Sequence, residues 1–219
     1  LAGEPVAYIT GAWEFYGLPM KVTPDVLIPR MDTELLVTTA KELLLGRKMD
    51  ARILDLCCGS GCIACALGHE LPATKLVAVD ISANALEIAR ENFASNRLGS
   101  RAICIQADAT SSPPMSIGQF DMIVSNPPYI ASAEIMTLDA SVRDYEPIWA
   151  LDGGEDGYRF YKAIIKYWKS LLRPGGFLLF EVGEGQAATV KDMLSSAGFR
   201  AVGSRLDTLN IERVVIGKM

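Results

Sequence analysis

The chain is poor in the residues that build metal and redox centres. Among 219 residues there is one histidine, His69, and there are five cysteines. Four of the cysteines crowd between positions 57 and 65. An odd number so distributed does not make a secreted disulfide framework. Cys62 and Cys65 form a C-x-x-C, but no second pair accompanies it. Small apolar packing residues in a reducing cytosol are the simpler reading, and no metal site is expected. Basic clusters are missing too. The net charge is −5, the pI is about 5.0, and no Lys/Arg block occurs. Phosphate-backbone binding relies on clustered basic side chains, so nucleic acid is disfavoured as the main partner. No apolar run approaches the roughly 20 residues of a membrane span, although mean hydropathy is +0.22. LAGEPVAYIT lacks the basic start and apolar stretch of a signal peptide. A cytoplasmic location is expected. The chain opens on Leu1 rather than Met, which fits a fragment or a processed form.

Half of the residues are hydrophobic, enough for one sizeable core. Residues 7–28 read as extended and hairpin-like, with Gly11, Gly17 and Pro19 as turn residues. A helix is expected near 32–45, with Asp32 or Thr33 as its N-cap. From residue 50 strands and helices alternate. ARILDL, KLVAVD, RAICIQA, FDMIVS and FLLFEV read as strands. GCIACALGHE, SANALEIARENFASN (capped by Ser82), residues 157–172 and GQAATVKDMLSSA read as helices. SSPPMSIGQ is a loop, RPGG a turn, and 131–156 irregular or partly helical. Such alternation predicts an α/β fold with a mainly parallel sheet covered on both faces. FRAVGSRL and IERVVIG are joined by a link too short for a crossover, so they are expected as an antiparallel hairpin.

Three successive strands end in candidate ligand groups. The first runs into Cys57-Cys58-Gly59-Ser60-Gly61, where glycines admit a ligand close to the backbone at a helix start. The second ends at Asp80, about 20 residues on, where an acid can accept both hydroxyls of a ribose. The third is followed by Asp108, which can take an adenine amino group. A tight turn, a helix-terminal charge and a loop acid would explain each one singly; their common register favours a nucleotide cofactor. Gly59-x-Gly61-x-x-Ala64 even fits a dinucleotide fingerprint, so the choice between a dinucleotide and an adenosyl cofactor stays open at this point.

The fourth strand ends in Ser125-Asn126-Pro127-Pro128-Tyr129-Ile130. Asn126 precedes a proline and is biased to extended backbone. The prolines hold a stiff turn and offer carbonyls without N–H groups. The Asn126 side-chain oxygen and the Pro127 carbonyl can accept both hydrogens of a planar NH2 group stacked on Tyr129. That geometry selects an amide or an exocyclic amine and aims its nitrogen at the cofactor.

On these residues the chain resembles the HemK/PrmC-type protein-(glutamine-N5) methyltransferases, which modify peptide chain release factors. The likeness spans nearly the whole chain: GEPVAYITG with EFYGL (3–18), VTPDVLIPR (22–30), ILDLCCGSGCIA (53–64), VAVDIS (77–82), FDMIVSNPPYI (120–130), VRDYEP and ALDGGEDG (142–157), LRPGG and GEGQ (172–186). It implies a class I S-adenosylmethionine-dependent methyltransferase fold, Rossmann-like, with seven strands, mostly parallel, and an antiparallel C-terminal hairpin. It implies S-adenosyl-L-methionine as donor, S-adenosyl-L-homocysteine as product, and the glutamine of a class 1 release factor's Gly-Gly-Gln motif as acceptor. Cofactor roles then fall on Cys57, Cys58, Gly59, Ser60, Gly61, Asp80, Asp108, Ala109 and Asn126. The acceptor site falls on Asn126, Pro127, Pro128 and Tyr129. Residues 1–30 are expected as a lead-in and 31–219 as the catalytic domain; the family's N-terminal helical domain is not within these 219 residues. The chain departs from the family at Cys57-Cys58, where Gly-Thr is usual, and at Met31-Asp32, where Pro and an acid are usual. An adenine-N6 or guanine-N2 methyltransferase of nucleic acid shares the Asn-Pro-Pro-Tyr chemistry and is the alternative. An NAD-type oxidoreductase would leave 126–129 unexplained.

Overall fold

The computed structural model describes residues 3–45 and 50–219. The reading of the chain's start rests partly on Leu1 and Ala2, which lie outside the described residues. The lead-in is not wholly extended. A short helix, α1 (Val6–Thr10), precedes a hairpin of β1 (Ala12–Phe15) and β2 (Leu18–Lys21). Pro5 and a left-handed Gly11 bracket the helix, and the Tyr8 hydroxyl donates to the Val26 carbonyl at 2.6 Å. That long-range tie fixes a helix which the aromatic-rich sequence alone argues against. The hairpin turns at Tyr16 and Gly17, both with positive φ, as a two-residue type I′ connection needs.

Then follow α2 (Met31–Leu44), β3 (Arg52–Leu56), α3 (Cys62–Glu70), β4 (Lys75–Asp80), α4 (Ala83–Ser95), β5 (Ala102–Gln106) and β6 (Phe120–Ser125). The second half adds α5 (Ala140–Arg143), α6 (Arg159–Tyr167), β7 (Leu172–Glu181), α7 (Ala187–Ser196), β8 (Arg200–Leu206) and β9 (Glu212–Lys218). The expected N-cap of α2 is corrected: Arg30 takes that position, two or three residues earlier, and neither Asp32 nor Thr33 caps the helix. The Thr33 hydroxyl is thereby left for another partner. Ser82 does cap α4, accepting from the Ala85 amide at 3.2 Å. The helix read over 157–172 is shorter, ending at Tyr167 before a 3-10 turn. RPGG does not separate two elements. It bulges within β7, where pairing to β6 jumps from Leu172 to Phe177 and Gly175 has φ +78°; sheet pairing on both sides overrides the local turn chemistry.

The seven-stranded sheet has the order β5-β4-β3-β6-β7-β9-β8. Pairing is parallel up to β7, and β9 is antiparallel to both β7 and β8. The chain winds one way from β3 to β5 and the other way from β6 onward, so β3 and β6 flank the point where strand order reverses. Open α/β sheets bind ligands beyond the strand C-termini at such a point. Both faces are covered. α2, α3 and α4 pack with Ile53, Met122 and Leu179 on one side; α6 and α7 pack with Leu54, Ile123 and Phe180 on the other. Cys62 and Cys65 are buried in the first of these layers, and burial pushes both thiols above the ordinary cysteine range. Trp168 is fully buried. Its indole N–H donates to the carbonyls of Ala109 and Ser111, each at 3.0 Å, which pins the loop after β5.

Candidate functional site

A cavity of about 390 Å³ opens at the C-terminal ends of β3, β4 and β6. Cys57, Cys58, Gly59, Ser60, Asp80, Asp108, Ala109, Asn126 and Pro128 line it, together with Asp25, Arg30, Thr33, Trp149, Asp152 and Arg159. Gly61, Pro127 and Tyr129 adjoin these residues in the chain without being part of this cavity's lining. The loop after β3 is held in a conformation that most residues resist. Cys57, Gly59 and Gly61 all have positive φ, at 60°, 51° and 75°. Position 57, where the resembled family usually has glycine, is therefore a left-handed position. A non-glycine residue there costs about 1–2 kcal/mol, offset in part because Cys57 packs against the core beneath it. Burial, followed by the Asp80 charge, pushes its thiol well up, so it is not a nucleophile. Gly61 is constrained twice over, since a Cβ there would come within 2.8 Å of the Phe93 ring.

Asp80 braces this loop. One carboxylate oxygen accepts from the Gly59 amide and the other from the Ser82 amide, both at 2.9 Å. Burial raises its pKa while these amides pull it down. Asn92 on α4 braces the loop from a second side. Its side-chain amide donates to the carbonyls of Ser60 at 2.8 Å and Lys21 at 3.0 Å, and accepts from the Lys21 amide at 2.7 Å. A lone amide amid the apolar positions of α4 was the only sequence sign of this role. Asp108 accepts from the Thr110 amide and hydroxyl, each at 2.7 Å, and from the Ser111 hydroxyl at 3.1 Å. Burial opposes its charge, but these donors prevail and hold it below the ordinary carboxylate range.

Asn126 follows β6 directly. Its side-chain NH2 donates to the Thr33 hydroxyl at 3.2 Å, and among the described residues its side-chain oxygen has no hydrogen-bond donor, so it can accept. The Asn-Pro-Pro-Tyr turn is gripped by the glycine-rich blocks that follow it in sequence. A Cβ on Gly153 would sit 2.8 Å from the Tyr129 backbone, and one on Gly157 would sit 2.5 Å from the Tyr129 carbonyl oxygen. Gln186 donates to that oxygen at 2.9 Å. The Gln186 side-chain oxygen accepts in turn from the Gly183 amide at 3.0 Å and the Tyr161 hydroxyl at 3.3 Å. The Ile130 amide donates to the Leu151 carbonyl at 3.0 Å, and the Ile130 carbonyl accepts from the Gly153 amide at 2.8 Å. Burial, then the Glu181 charge, pushes the Tyr129 phenol up to about 12, so it stays neutral at working pH and cannot serve as a base.

Two buried carboxyl groups were not read from the sequence as site residues. Asp55 is the penultimate residue of β3, just before the 57–61 loop, and Glu181 ends β7, and each has one oxygen without a partner among the described residues. Each was visible as an acid in an apolar strand, but its neighbours were not. Asp55 accepts from the Ala64 amide at 3.1 Å, and burial pushes its pKa up to about 8 against that bond. The folded chain thus keeps a proton on Asp55 that the unfolded chain has released. Stability from this group is intact below about pH 4 and drains away as pH rises toward 8. Asp55→Asn keeps an acceptor for Ala64 and cannot ionise. Thermal melts without cofactor are expected to show the variant gaining on the wild type between pH 5 and 8.5, by about 1–3 kcal/mol. A gap that does not change with pH would contradict this.

The cavity suits a cationic adenosyl ligand better than a pyrophosphate. Its ionisable lining is Asp25, Asp80, Asp108 and Asp152 against Arg30 and Arg159, an acidic excess. The α3 amide a phosphate would seek is already taken by Asp55.

Comparison with known proteins agrees. The Methyltransferase small domain family matches residues 31–141. The chain is 44% identical over 216 residues to the release factor glutamine methyltransferase of Geobacter sulfurreducens, covering 99% of this chain and 74% of that protein. It is 46% identical over 199 residues to the same enzyme of Bradyrhizobium diazoefficiens, covering 90% and 66%. Among solved structures, the hMettl16 catalytic domain in complex with an RNA hairpin superposes with a TM-score of 0.73 at 19% identity, covering 92% of this chain and 76% of that one. A ribosomal protein L11 methylase from Lactobacillus delbrueckii gives 0.63 at 19%, covering 91% and 84%. These two share the fold, and on its identity to the sequence relatives the chain belongs to the release factor glutamine methyltransferase family.

Proposed function

We propose that this chain methylates the side-chain amide nitrogen of the glutamine in the Gly-Gly-Gln motif of a class 1 release factor, with S-adenosyl-L-methionine as donor. The observation that carries the reading is the orientation of Asn126, whose NH2 is engaged by Thr33 and whose oxygen is free beside the cavity. When bound, the cofactor supplies an electrophilic methyl on a sulfonium. Asp80 is assigned to the ribose hydroxyls and Asp108 with Ala109 to the adenine. The 57–61 loop is assigned to the backbone-facing side of the ligand. Asn126 and the Pro127 carbonyl accept the two amide hydrogens, returning electron density to a nitrogen whose lone pair is otherwise delocalised. Fixing that nitrogen in line for transfer adds a proximity term of up to roughly 7–11 kcal/mol. The nitrogen would gain the methyl as the methyl's bond to the sulfonium sulfur breaks, leaving S-adenosyl-L-homocysteine, and would shed one proton to water once alkylation has made it acidic. Residues 31–219 form the catalytic domain in this reading, with Asp25 and Arg30 of the lead-in completing the cavity wall. No helix among the described residues is long and apolar enough to cross a membrane; a cytoplasmic location follows from the proposed partner.

Mass spectrometry of a purified release factor after incubation with the chain and S-adenosyl-L-methionine tests the proposal. One methyl on the Gly-Gly-Gln glutamine is expected. Methyl on RNA or DNA with none on the release factor would overturn it. The grip on the Tyr129 turn should matter as well. Gly157→Ala combines positive φ (+74°) with the contact to the Tyr129 carbonyl, so the turn must shift. Turnover is expected to fall by roughly 10-fold or more while the cofactor dissociation constant moves little; equal losses in both would argue against it.

A further inference from the structure

The cavity is acidic, and one part of the donor is repelled by that. S-adenosyl-L-methionine carries a sulfonium and an ammonium, which suit a lining of Asp25, Asp80, Asp108 and Asp152, and an α-carboxylate, which does not. Among the described residues the only cations in the lining are Arg30 and Arg159. They belong to opposite layers of the sheet. Arg159 opens α6, with its guanidinium 5.8 Å from the centroid of the Phe160 ring. Arg30 is the N-cap residue of α2, at the end of the cavity that holds Asn126. The Thr33 amide donates to the Arg30 carbonyl at 3.1 Å, and the Thr33 hydroxyl accepts from the Asn126 NH2 at 3.2 Å. Arg30 is fixed from two sides. The Trp13 indole N–H donates to the Pro29 carbonyl at 3.0 Å, which pins the backbone ahead of it. Its guanidinium pairs through one nitrogen with Glu146, whose side chain is 1% exposed. The other Glu146 oxygen accepts from the Ile28 amide at 3.2 Å. Among the described residues the Arg30 side chain makes no further hydrogen bond, and it stays 38% exposed. A guanidinium has five N–H donors in one plane, so most of them remain for a ligand.

We propose that Arg30 receives the α-carboxylate of the donor's methionyl part, and that Glu146 is the positioning residue that holds the guanidinium ready for it. Asn126 orients the acceptor nitrogen, so the donor's methyl must face Asn126. The carboxylate is joined to the same sulfur by a short carbon chain and must lie close by. Arg30 is the cation within one helical turn of Thr33, the partner of Asn126. The parallel N–H groups of a guanidinium match the two oxygens of a carboxylate and give direction as well as charge. Glu146 fits a positioning role better than a stabilising one. Burying a carboxylate to hold a partly exposed arginine gains the fold little. A guanidinium already anchored, however, loses less side-chain freedom when a ligand arrives. The carboxylate takes no part in the bond changes at sulfur, so its contact is alike in the ground and transition states. Its loss should show in binding and KM rather than in kcat.

The proposal rests on the methyl-donor reading above, and calorimetry with two ligands separates the two. S-adenosyl-L-homocysteine carries the carboxylate; its decarboxylated analogue keeps the thioether and the ammonium and lacks it. The wild type is expected to bind the first roughly 10–100-fold more tightly. In Arg30→Gln that ratio should fall to about one or below, since only repulsion from the acids is left. Arg30→Gln leaves Glu146 buried without its partner. The double variant Arg30→Gln/Glu146→Gln, which removes both charges, is therefore measured beside it. Partial unfolding weakens both ligands alike and cancels in the ratio. Glu146→Gln alone should lower the ratio several-fold, and Arg159→Gln should keep it. In methyl-transfer assays on a release factor, Arg30→Gln should raise the KM for S-adenosyl-L-methionine by roughly 10–100-fold with kcat within about threefold of wild type. A wild-type ratio near one overturns the assignment, as does a ratio that survives in both Arg30 variants or collapses only in Arg159→Gln. A ratio unchanged in Glu146→Gln removes the positioning role. A wild type that binds neither ligand removes the donor reading itself, whereas one that binds both alike removes only the role of Arg30.

Discussion

Asn126→Ala is expected to cut methyl transfer by roughly 10²–10³-fold, with the melting temperature within a few degrees of wild type. The side chain gives the fold little. It is partly exposed beside the cavity, and its one side-chain bond among the described residues is to Thr33. The strand end beneath is held by other means: the Ser125 hydroxyl donates to the Leu56 carbonyl at 2.7 Å, and the Tyr129 turn is gripped by Gln186. Alanine therefore leaves the frame standing while removing the acceptor that orients the substrate nitrogen. The loss should appear in kcat more than in cofactor binding. Single-turnover assays with bound cofactor, read by mass spectrometry of the acceptor, check this. Near-normal turnover would remove Asn126 from the mechanism, and with it the account of why the strand ends in an amide before two prolines.

The parts of the molecule that sequence could reach were those governed by local pattern. Strand–helix alternation placed the parallel sheet, the short link after Leu206 placed the antiparallel hairpin, and Ser82 marked the start of α4. Where strands end, ligand groups cluster, so the positions of Asp80, Asp108 and Asn126 around one cavity were also legible. The misreadings share a cause. α1 is held by a bond from Tyr8 to Val26, and α2 begins at Arg30, whose ion pair is with Glu146, 116 residues away. RPGG is drawn into β7 by strands on either side. Each depends on a partner remote in sequence. Glu181 is the instructive intermediate case. A carboxylate near the end of FLLFEV was visible, but its almost complete burial was not.

Asp80→Ala is expected to weaken S-adenosyl-L-methionine binding by roughly 1,000-fold or more, about 4 kcal/mol, where two lost hydroxyl contacts at about 0.5–1.5 kcal/mol each would account for at most about 3 kcal/mol. The excess comes from the loop. Asp80 satisfies the amides of Gly59 and Ser82, and alanine orphans both. Cys57, Gly59 and Gly61 then keep their left-handed conformations with one brace fewer, and a loop that relaxes no longer presents its backbone to the ligand. Asparagine should be a poor rescue, since one end of its amide would face a backbone N–H with another donor. Calorimetry can separate the two contributions. With a 2′,3′-dideoxy analogue of S-adenosyl-L-homocysteine, the hydroxyl contribution is absent from both proteins, so the wild-type-to-variant gap should shrink to the loop term alone. The difference between the gaps is the coupling of Asp80 to the ribose, a double-mutant cycle with the ligand as second partner. A gap that does not shrink would leave Asp80 as a brace only, and an unchanged dissociation constant in Asp80→Ala would remove both roles.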